Sequence, residues 1–287
     1  MSAGTGATTN ASHLAGRAIV VTGAAGGFGR LLSRKAAERG AKLVCCDVDG
    51  GALAATVDEI RSRGGSATGL VADVTDLGAM RSVVAETLRL HGAVDVLVNN
   101  AGVMPLGFFA DHERAAEAWS RCIDINVKGV LHGMIAVHDA MLRQGRGHVV
   151  NLSSIYGNYP VAGAAVYGAS KAAVNVLSES FRVETQGRIK VTIVRPTGVP
   201  GTGLGGGIVN PAAITGILGQ NAGEYLGRLA AMMKGEAEPG ELDPDSPRYA
   251  ALAPEHLVDQ ILYAIDQPWG VSIGDITVRA TGDRYVL

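Results

Sequence analysis

A chain of 287 residues is long enough for one large α/β domain or two modest ones. Its 47% hydrophobic and 18% charged residues fit a soluble globular protein with a large core, and its net charge of -2, with Lys and Arg dispersed, leaves no nucleic-acid footprint. The 40 glycines lie in clusters without a period, which excludes collagen-like repeats, and no apolar run approaches the ~20 residues that span a bilayer.

The opening "MSAGTGATTNASH" lacks a charged segment followed by an apolar one, so it reads as a disordered tail over 1–13 rather than a signal peptide. One domain is expected over 14–287. Its first half alternates short β-branched runs with longer amphipathic ones. Strands are predicted at "AIVVTG" (18–23), "AKLVCCD" (41–47), "ATGLVAD" (67–73), "VDVLVNN" (94–100), "GHVVNLSS" (147–154) and "IKVTIVRP" (189–196). They are nearly continuous in hydrophobicity, as strands covered on both faces are. Helices are predicted over 27–39, 50–63, 77–90, 113–143 and 166–186, with a last helix over 255–266 and a last strand "VSIGDITV" (271–278). This alternation predicts right-handed βαβ units: an α/β fold with a doubly wound parallel sheet of about seven strands and helices on both faces.

Between the sixth strand and the last helix the rhythm breaks. Residues 197–250 are rich in Gly and Pro and enclose an apolar helical stretch over 225–233. Apolar content is costly to leave in water, so this insertion reads as a substrate-binding lid. Cys45 and Cys46 are adjacent in a strand and should face opposite sides of the sheet, and Cys122 stands alone. All three read as reduced packing residues of a cytoplasmic protein, and the histidines form no metal-binding pattern, so no metal is expected.

The turn "VVTGAAGGFGR" (20–30) joins the first strand to the first helix. Gly23, Gly27 and Gly29, with Phe28 among them, allow a tight turn and close backbone approach, and the helix N-terminus offers free N–H groups to a pyrophosphate. A Gly-rich turn alone is weak, but at this junction it marks a Rossmann-like dinucleotide site. No "GK[ST]" follows, which argues against a nucleotide triphosphatase. Asp47 ends the second strand, where a carboxylate accepts from ribose hydroxyls and repels a 2′-phosphate. Val48 follows it and the turn holds no Lys or Arg before Arg30, so NAD is expected over NADP. Asp49 reads as the start of the next helix. Asp73, followed by Val74, is either an adenine partner or a helix cap.

In "VYGASKAAV" (166–174) Tyr167 and Lys171 lie four apart, which on a helix places their Cβ atoms roughly 5–6 Å from one another. A cation beside a phenol pulls its pKa down from about 10, which suits a general acid/base. Taken alone the pair is more often an idle stretch of helix surface.

The series "TGAAGGFG" (22–29), "NNAG" (99–102), "INVKG" (125–129), "NLSS" (151–154) and "YGASK" (167–171) resembles the short-chain dehydrogenase/reductases over residues 14–280, in their shorter oxidoreductase branch. The resemblance implies catalytic roles for Ser154, Tyr167 and Lys171, with Asn126 as fourth member. It also implies that Asn100, Ala101 and Gly102 line the cofactor's ribose and that Pro196 and Val199 sit by the nicotinamide. In this reading Ser154 orients the substrate oxygen, Tyr167 moves the proton, Lys171 lowers the phenol's pKa and holds the ribose, and Asn126 holds a water. The usual P-G-x-V-x-T becomes "RPTGVPGT" (195–202), which leaves the contribution of Thr202 open. A homotetramer, with a dimer next, is implied through the helices at 113–143 and 166–186.

Met104, Leu106, Ile155 and Tyr156 are the expected substrate neighbours, with Ser154, Tyr167 and the insertion. With no Lys or Arg in the first two groups, the expected reaction interconverts a hydrophobic secondary alcohol and its ketone. Two other readings remain: a non-catalytic NAD-binding sensor or scaffold, and a lyase or epimerase that uses the cofactor transiently without net NADH.

Overall fold

The computed structural model describes residues 12–286. The tail expected over 1–13 therefore lies outside the described residues except for Ser12 and His13, and the Ser12 hydroxyl donates to Asp266 at 3.1 Å.

Seven strands are present among the described residues: β1 (Ala18–Thr22), β2 (Lys42–Asp47), β3 (Ser66–Val71), β4 (Val96–Asn99), β5 (Gly147–Leu152), β6 (Ile189–Val194) and β7 (Asp275–Ile276). They form one all-parallel sheet in the order β3-β2-β1-β4-β5-β6-β7. The order reverses between β1 and β4, and the crevice at the carboxyl ends of the strands beside such a reversal is where doubly wound sheets bind ligands.

The helices are α1 (Gly27–Glu38), α2 (Gly50–Ser62), α3 (Leu77–His91), α4 (His112–Ile123), α5 (Gly129–Gln144), α6 (Ala165–Glu184), α7 (Thr215–Leu218), α8 (Ala222–Met233) and α9 (Pro254–Ile265). Side-chain alternation along the strands separates two cores. Ile19, Val21 and Cys45 meet Leu32 of α1, Leu53 of α2 and Leu262 of α9. Val20, Val44 and Cys46 meet Val83 of α3, Met134 of α5 and Val174 of α6. Cys45 and Cys46 thus enter opposite cores, as strand geometry requires. No described helix is long and apolar enough to cross a membrane.

The structure departs from the sequence expectations in several places. The helix expected over 113–143 is interrupted by a π turn at Asp124–Lys128, in which the Gly129 N–H donates to the Asp124 carbonyl. β5 stops at Leu152, so Ser154 lies two residues past the strand, heading a 3₁₀ turn at Ile155–Gly157. The strand expected over 271–278 pairs only at Asp275–Ile276. Upstream of it, side chains of β6 take the carbonyls: Lys190 donates to Val271 at 3.0 Å and Thr192 to Ile273 at 2.6 Å. In the insertion, burial centres on α7 and the turn before it. Ala213, Ile217 and Leu218 are fully buried with Leu106, Ile155 and Tyr156.

Candidate active site

The Gly-rich turn is shaped by contacts that only glycine permits. A Cβ on Gly29 would lie 2.1 Å from the Gly23 carbonyl oxygen and 2.6 Å from Asn100 Nδ2. Gly27 has φ +49°, and a Cβ there would meet the Thr202 carbonyl oxygen at 2.6 Å. Asn100 donates to the carbonyls of Thr22 and Gly23 at 2.8 and 3.0 Å, locking the turn onto β4. No side chain caps α1 at Gly26, so its first-turn N–H groups remain available to an anionic ligand.

Asp47 accepts from the Ala25 N–H at 3.0 Å and from the Asp49 N–H at 3.1 Å, so its carboxylate ties the end of β2 to the turn. Asp49 caps α2 through the Ala52 N–H, as expected of it. The cap of α3 is Asp76, so the helix-capping alternative for Asp73 does not hold; Asp73 accepts from the N–H and hydroxyl of Thr75, both at 2.8 Å.

Tyr167 and Lys171 lie on one buried face of α6, with 3% and 5% exposure. Lys171 Nζ donates to the Leu152 carbonyl at 2.8 Å and stands 5.7 Å from the centroid of the Tyr167 ring. The Ser154 hydroxyl accepts from the Tyr156 N–H at 3.3 Å. Ser153, its neighbour, donates to the Lys171 carbonyl at 3.0 Å. The expected lowering of the phenol pKa is not what this geometry gives. Burial pushes Tyr167 well above the usual phenol range, and the nearby Ser154 hydroxyl only partly offsets it. Burial also brings Lys171 down to about 8. The ammonium is withdrawn against Leu152 rather than placed at the hydroxyl.

Asn126 sits in the π turn, completely buried. Its Oδ1 accepts from the Val103 N–H at 2.9 Å, while Nδ2 donates to the Val103 carbonyl at 2.9 Å and to Ser170 Oγ at 3.1 Å. The side chain is thus committed to bracing the segment after β4.

A single cavity of about 1270 Å³ runs from the Gly-rich turn to α8. It is lined by Gly23, Gly27, Phe28, Asp47, Val48, Asp73, Val74, Asn100, Ala101, Gly102, Met104, Ser154, Tyr156, Tyr167, Lys171, Pro196, Val199 and Thr202, all singled out in the sequence. Gly29 lies behind this wall, in the tight approach of α1 to β1, and Asn126 lies beneath it. Leu106 is a correction: it is fully buried with Cys122 and Ile217 and does not reach the cavity. Thr202 lines the cavity and presses its carbonyl on Gly27.

Arg121, Arg284 and Tyr285, which nothing in the sequence singled out, also line the cavity, as do Tyr225 and Arg228 of the insertion read as a lid. Arg228 is paired with Glu241 and Arg284 with Glu224. The elongated hollow fits a dinucleotide. Glycines and helix N–H groups stand at one end, Asp47 stands beside them, and Tyr167 and Lys171 stand toward the other.

Comparison with known proteins agrees with this geometry. Residues 17–210 match the short chain dehydrogenase family. The 2,5-dichloro-2,5-cyclohexadiene-1,4-diol dehydrogenase LinX of Sphingobium indicum is 33% identical over 190 residues, 66% of this chain and 75% of that protein. The NADP-dependent 3-hydroxy acid dehydrogenase YdfG of Salmonella typhimurium is 36% identical over 185 residues, 64% of this chain and 73% of its own length. A short chain dehydrogenase/reductase from Burkholderia phymatum, solved in complex with NAD, superposes with a TM-score of 0.72 at 30% identity, covering 92% of this chain and 89% of that one. The chain belongs to the short-chain dehydrogenase family and is an oxidoreductase of that family.

Proposed function

We propose that this protein interconverts a hydrophobic secondary alcohol and its ketone, with NAD as redox partner and Tyr167 as general acid/base. The observation that carries this reading is that Ser154, Tyr167 and Lys171 line the same cavity as the Gly-rich turn and Asp47. A bound nicotinamide dinucleotide supplies the hydride and, when oxidised, a positive charge beside the phenol. Asp47 favours NAD in this reading, because a carboxylate at the end of β2 beside the Gly-rich turn repels a 2′-phosphate and Val48 offers no cation.

In the reductive direction the buried phenol is protonated at neutral pH and is ready to donate to a carbonyl held by Ser154. In the oxidative direction the reacting form is the phenolate, formed when Tyr167 gives up its own proton to solvent. It takes the alcohol proton and returns to the neutral phenol, and Lys171, mainly cationic below its pKa of about 8, favours the phenolate before that transfer. Asn126 fixes the loop at Val103 and so sets the position of Gly102 beside Lys171.

Met104, Ile155, Ile217, Leu229 and Met232 give the outer cavity its apolar lining. Arg228 and Arg284 are already committed to carboxylates, so neither is offered to a charged substrate. The insertion acts as a lid in this reading, with α8 over the cavity. LinX is named for a cyclic diol, which is consistent with an alicyclic alcohol here. A homotetramer is part of the same reading, since α5 and α6 leave Leu131, Ile135, Val176 and Val183 exposed. So is a cytoplasmic location, which suits three buried free thiols.

The test is absorbance at 340 nm with NAD and a panel of hydrophobic secondary alcohols beside charged hydroxy acids. Faster turnover of the hydrophobic alcohols supports the reading. Preference for the hydroxy acids overturns the substrate class, and binding of NAD without turnover of any alcohol overturns the reaction.

A further inference from the structure

Beyond Tyr167 the cavity wall carries three more phenols that the reaction does not use. Tyr156 meets the Tyr167 ring edge-on, with centroids 5.4 Å apart. Tyr225 of α8 and Tyr285 near the C-terminus form a second pair, with rings 5.8 Å apart and hydroxyl oxygens 3.1 Å apart. Both of the latter line the cavity and pack in the same cluster as Tyr156 and Tyr167.

The seat of Tyr285 is built. A Cβ on Gly198 would fall 1.6 Å from the Tyr285 hydroxyl oxygen, so the phenol tip rests on bare backbone of the loop after β6. The related pattern has glycine at the preceding position, where this chain has Thr197; that hydroxyl donates to the Val278 carbonyl at 3.1 Å and fastens the loop to the C-terminal segment. On either side of Tyr285 the segment is pinned to the insertion. Asn221 donates to the Arg284 carbonyl at 2.9 Å, and the Val286 N–H donates to the Ile217 carbonyl at 3.0 Å.

Two hydroxyls bonded to each other use one of their two protons. The other proton and the spare lone pairs of Tyr225 and Tyr285 have no further partner among the described residues. Both residues line the cavity and their hydroxyl pair is only part-buried, so the spare proton and lone pairs are open to water or to a ligand oxygen. An O–H can donate to a carbonyl, and a phenol oxygen can accept from an alcohol, so either form of a redox pair is served.

We propose that the Tyr225–Tyr285 hydroxyl pair binds a second oxygen of the substrate, so that the substrate class is a diol or hydroxyketone on an apolar ring. This rests on the redox reading above and narrows it. One oxygen reacts between Ser154 and Tyr167 while the other is held at the phenol pair, which fixes which carbon faces the dinucleotide.

The test compares cyclohexanol with cyclohexane-1,4-diol in the full chain, in Tyr225→Phe and in Tyr285→Phe, substitutions that keep the rings and hence the packing. With NAD, the wild-type chain should favour the diol in kcat/KM by about tenfold, the scale of one hydrogen bond, chiefly through KM. Each Phe variant should bring that ratio close to one. A wild-type ratio near one, or a preference that survives both substitutions, would overturn the proposal. Isothermal titration of the two alcohols into the NADH-loaded chain gives a readout without turnover. If neither alcohol is oxidised, the redox reading fails. Preferential diol binding that Tyr285→Phe abolishes would still uphold the two-oxygen site, and equal binding would sink it as a site held by water alone.

Discussion

Replacing Asp47 with asparagine should weaken NAD binding and reduce the preference over NADP in one step. The carboxylate takes one N–H on each oxygen, from Ala25 at 3.0 Å and from Asp49 at 3.1 Å. The amide has a single acceptor, so one of these donors would face an NH₂ group. A hydrogen bond to a charged group is worth about 1.5–3 kcal/mol. Asp47 is half-buried at the cavity wall, which places the loss toward the lower end. That loss falls on the turn itself and weakens both nucleotides alike. Two unit charges 4 Å apart repel by about 1 kcal/mol in water and about 4 kcal/mol at a protein surface, so deleting one should lower the NADH-to-NADPH affinity ratio by about fivefold or more. Fluorescence titration of both nucleotides into wild-type and Asp47→Asn protein measures it. A ratio that shifts by less than about threefold would show that Asp47 does not read the ribose.

Two further expectations concern stability and the turn. Folding lowers the Lys171 pKa from 10.5 to about 8, so the unfolded chain binds the extra proton between those values and stability rises with pH across that window, by up to ~3 kcal/mol. Below pH 8 the cost of the buried charge is fully present. Urea unfolding at pH 7.5 and 9.5 should show a gain for the wild type that Lys171→Met lacks; equal pH dependence would contradict it. Gly29→Ala drives a methyl group into the Gly23 carbonyl and the Asn100 amide. Overpacking of that kind costs about 2 kcal/mol, or about 5 °C in Tm, and calorimetry should record it together with weaker NADH binding.

What the sequence made legible was local. Gly23, Gly27 and Gly29 announce a turn because only glycine tolerates the approach, and Tyr167 and Lys171 announce a shared face because four residues make about one helical turn. Cys45 and Cys46 could be assigned to opposite cores from the period of a strand alone. The π turn at Asn126 was not legible, since its i→i+5 bond leaves no compositional mark, and the helix was expected to run unbroken. Nor was the raised phenol of Tyr167, because burial is set by what the fold packs around the pair and not by their spacing. Tyr225 and Tyr285 are 60 residues apart and meet only after the insertion and the C-terminal segment have docked on each other. The same distance effect hid Lys190 and Thr192, whose side chains shorten the last strand.

The most direct measurement is single-turnover hydride transfer in Tyr167→Phe, alongside NADH titration of the same variant. The ring and its packing against Tyr156 survive the change, so the dinucleotide should bind as in the wild type. The account predicts that transfer slows by about 10²–10⁴-fold, the usual worth of a positioned acid/base. Transfer at the wild-type rate, with NADH bound, would contradict it.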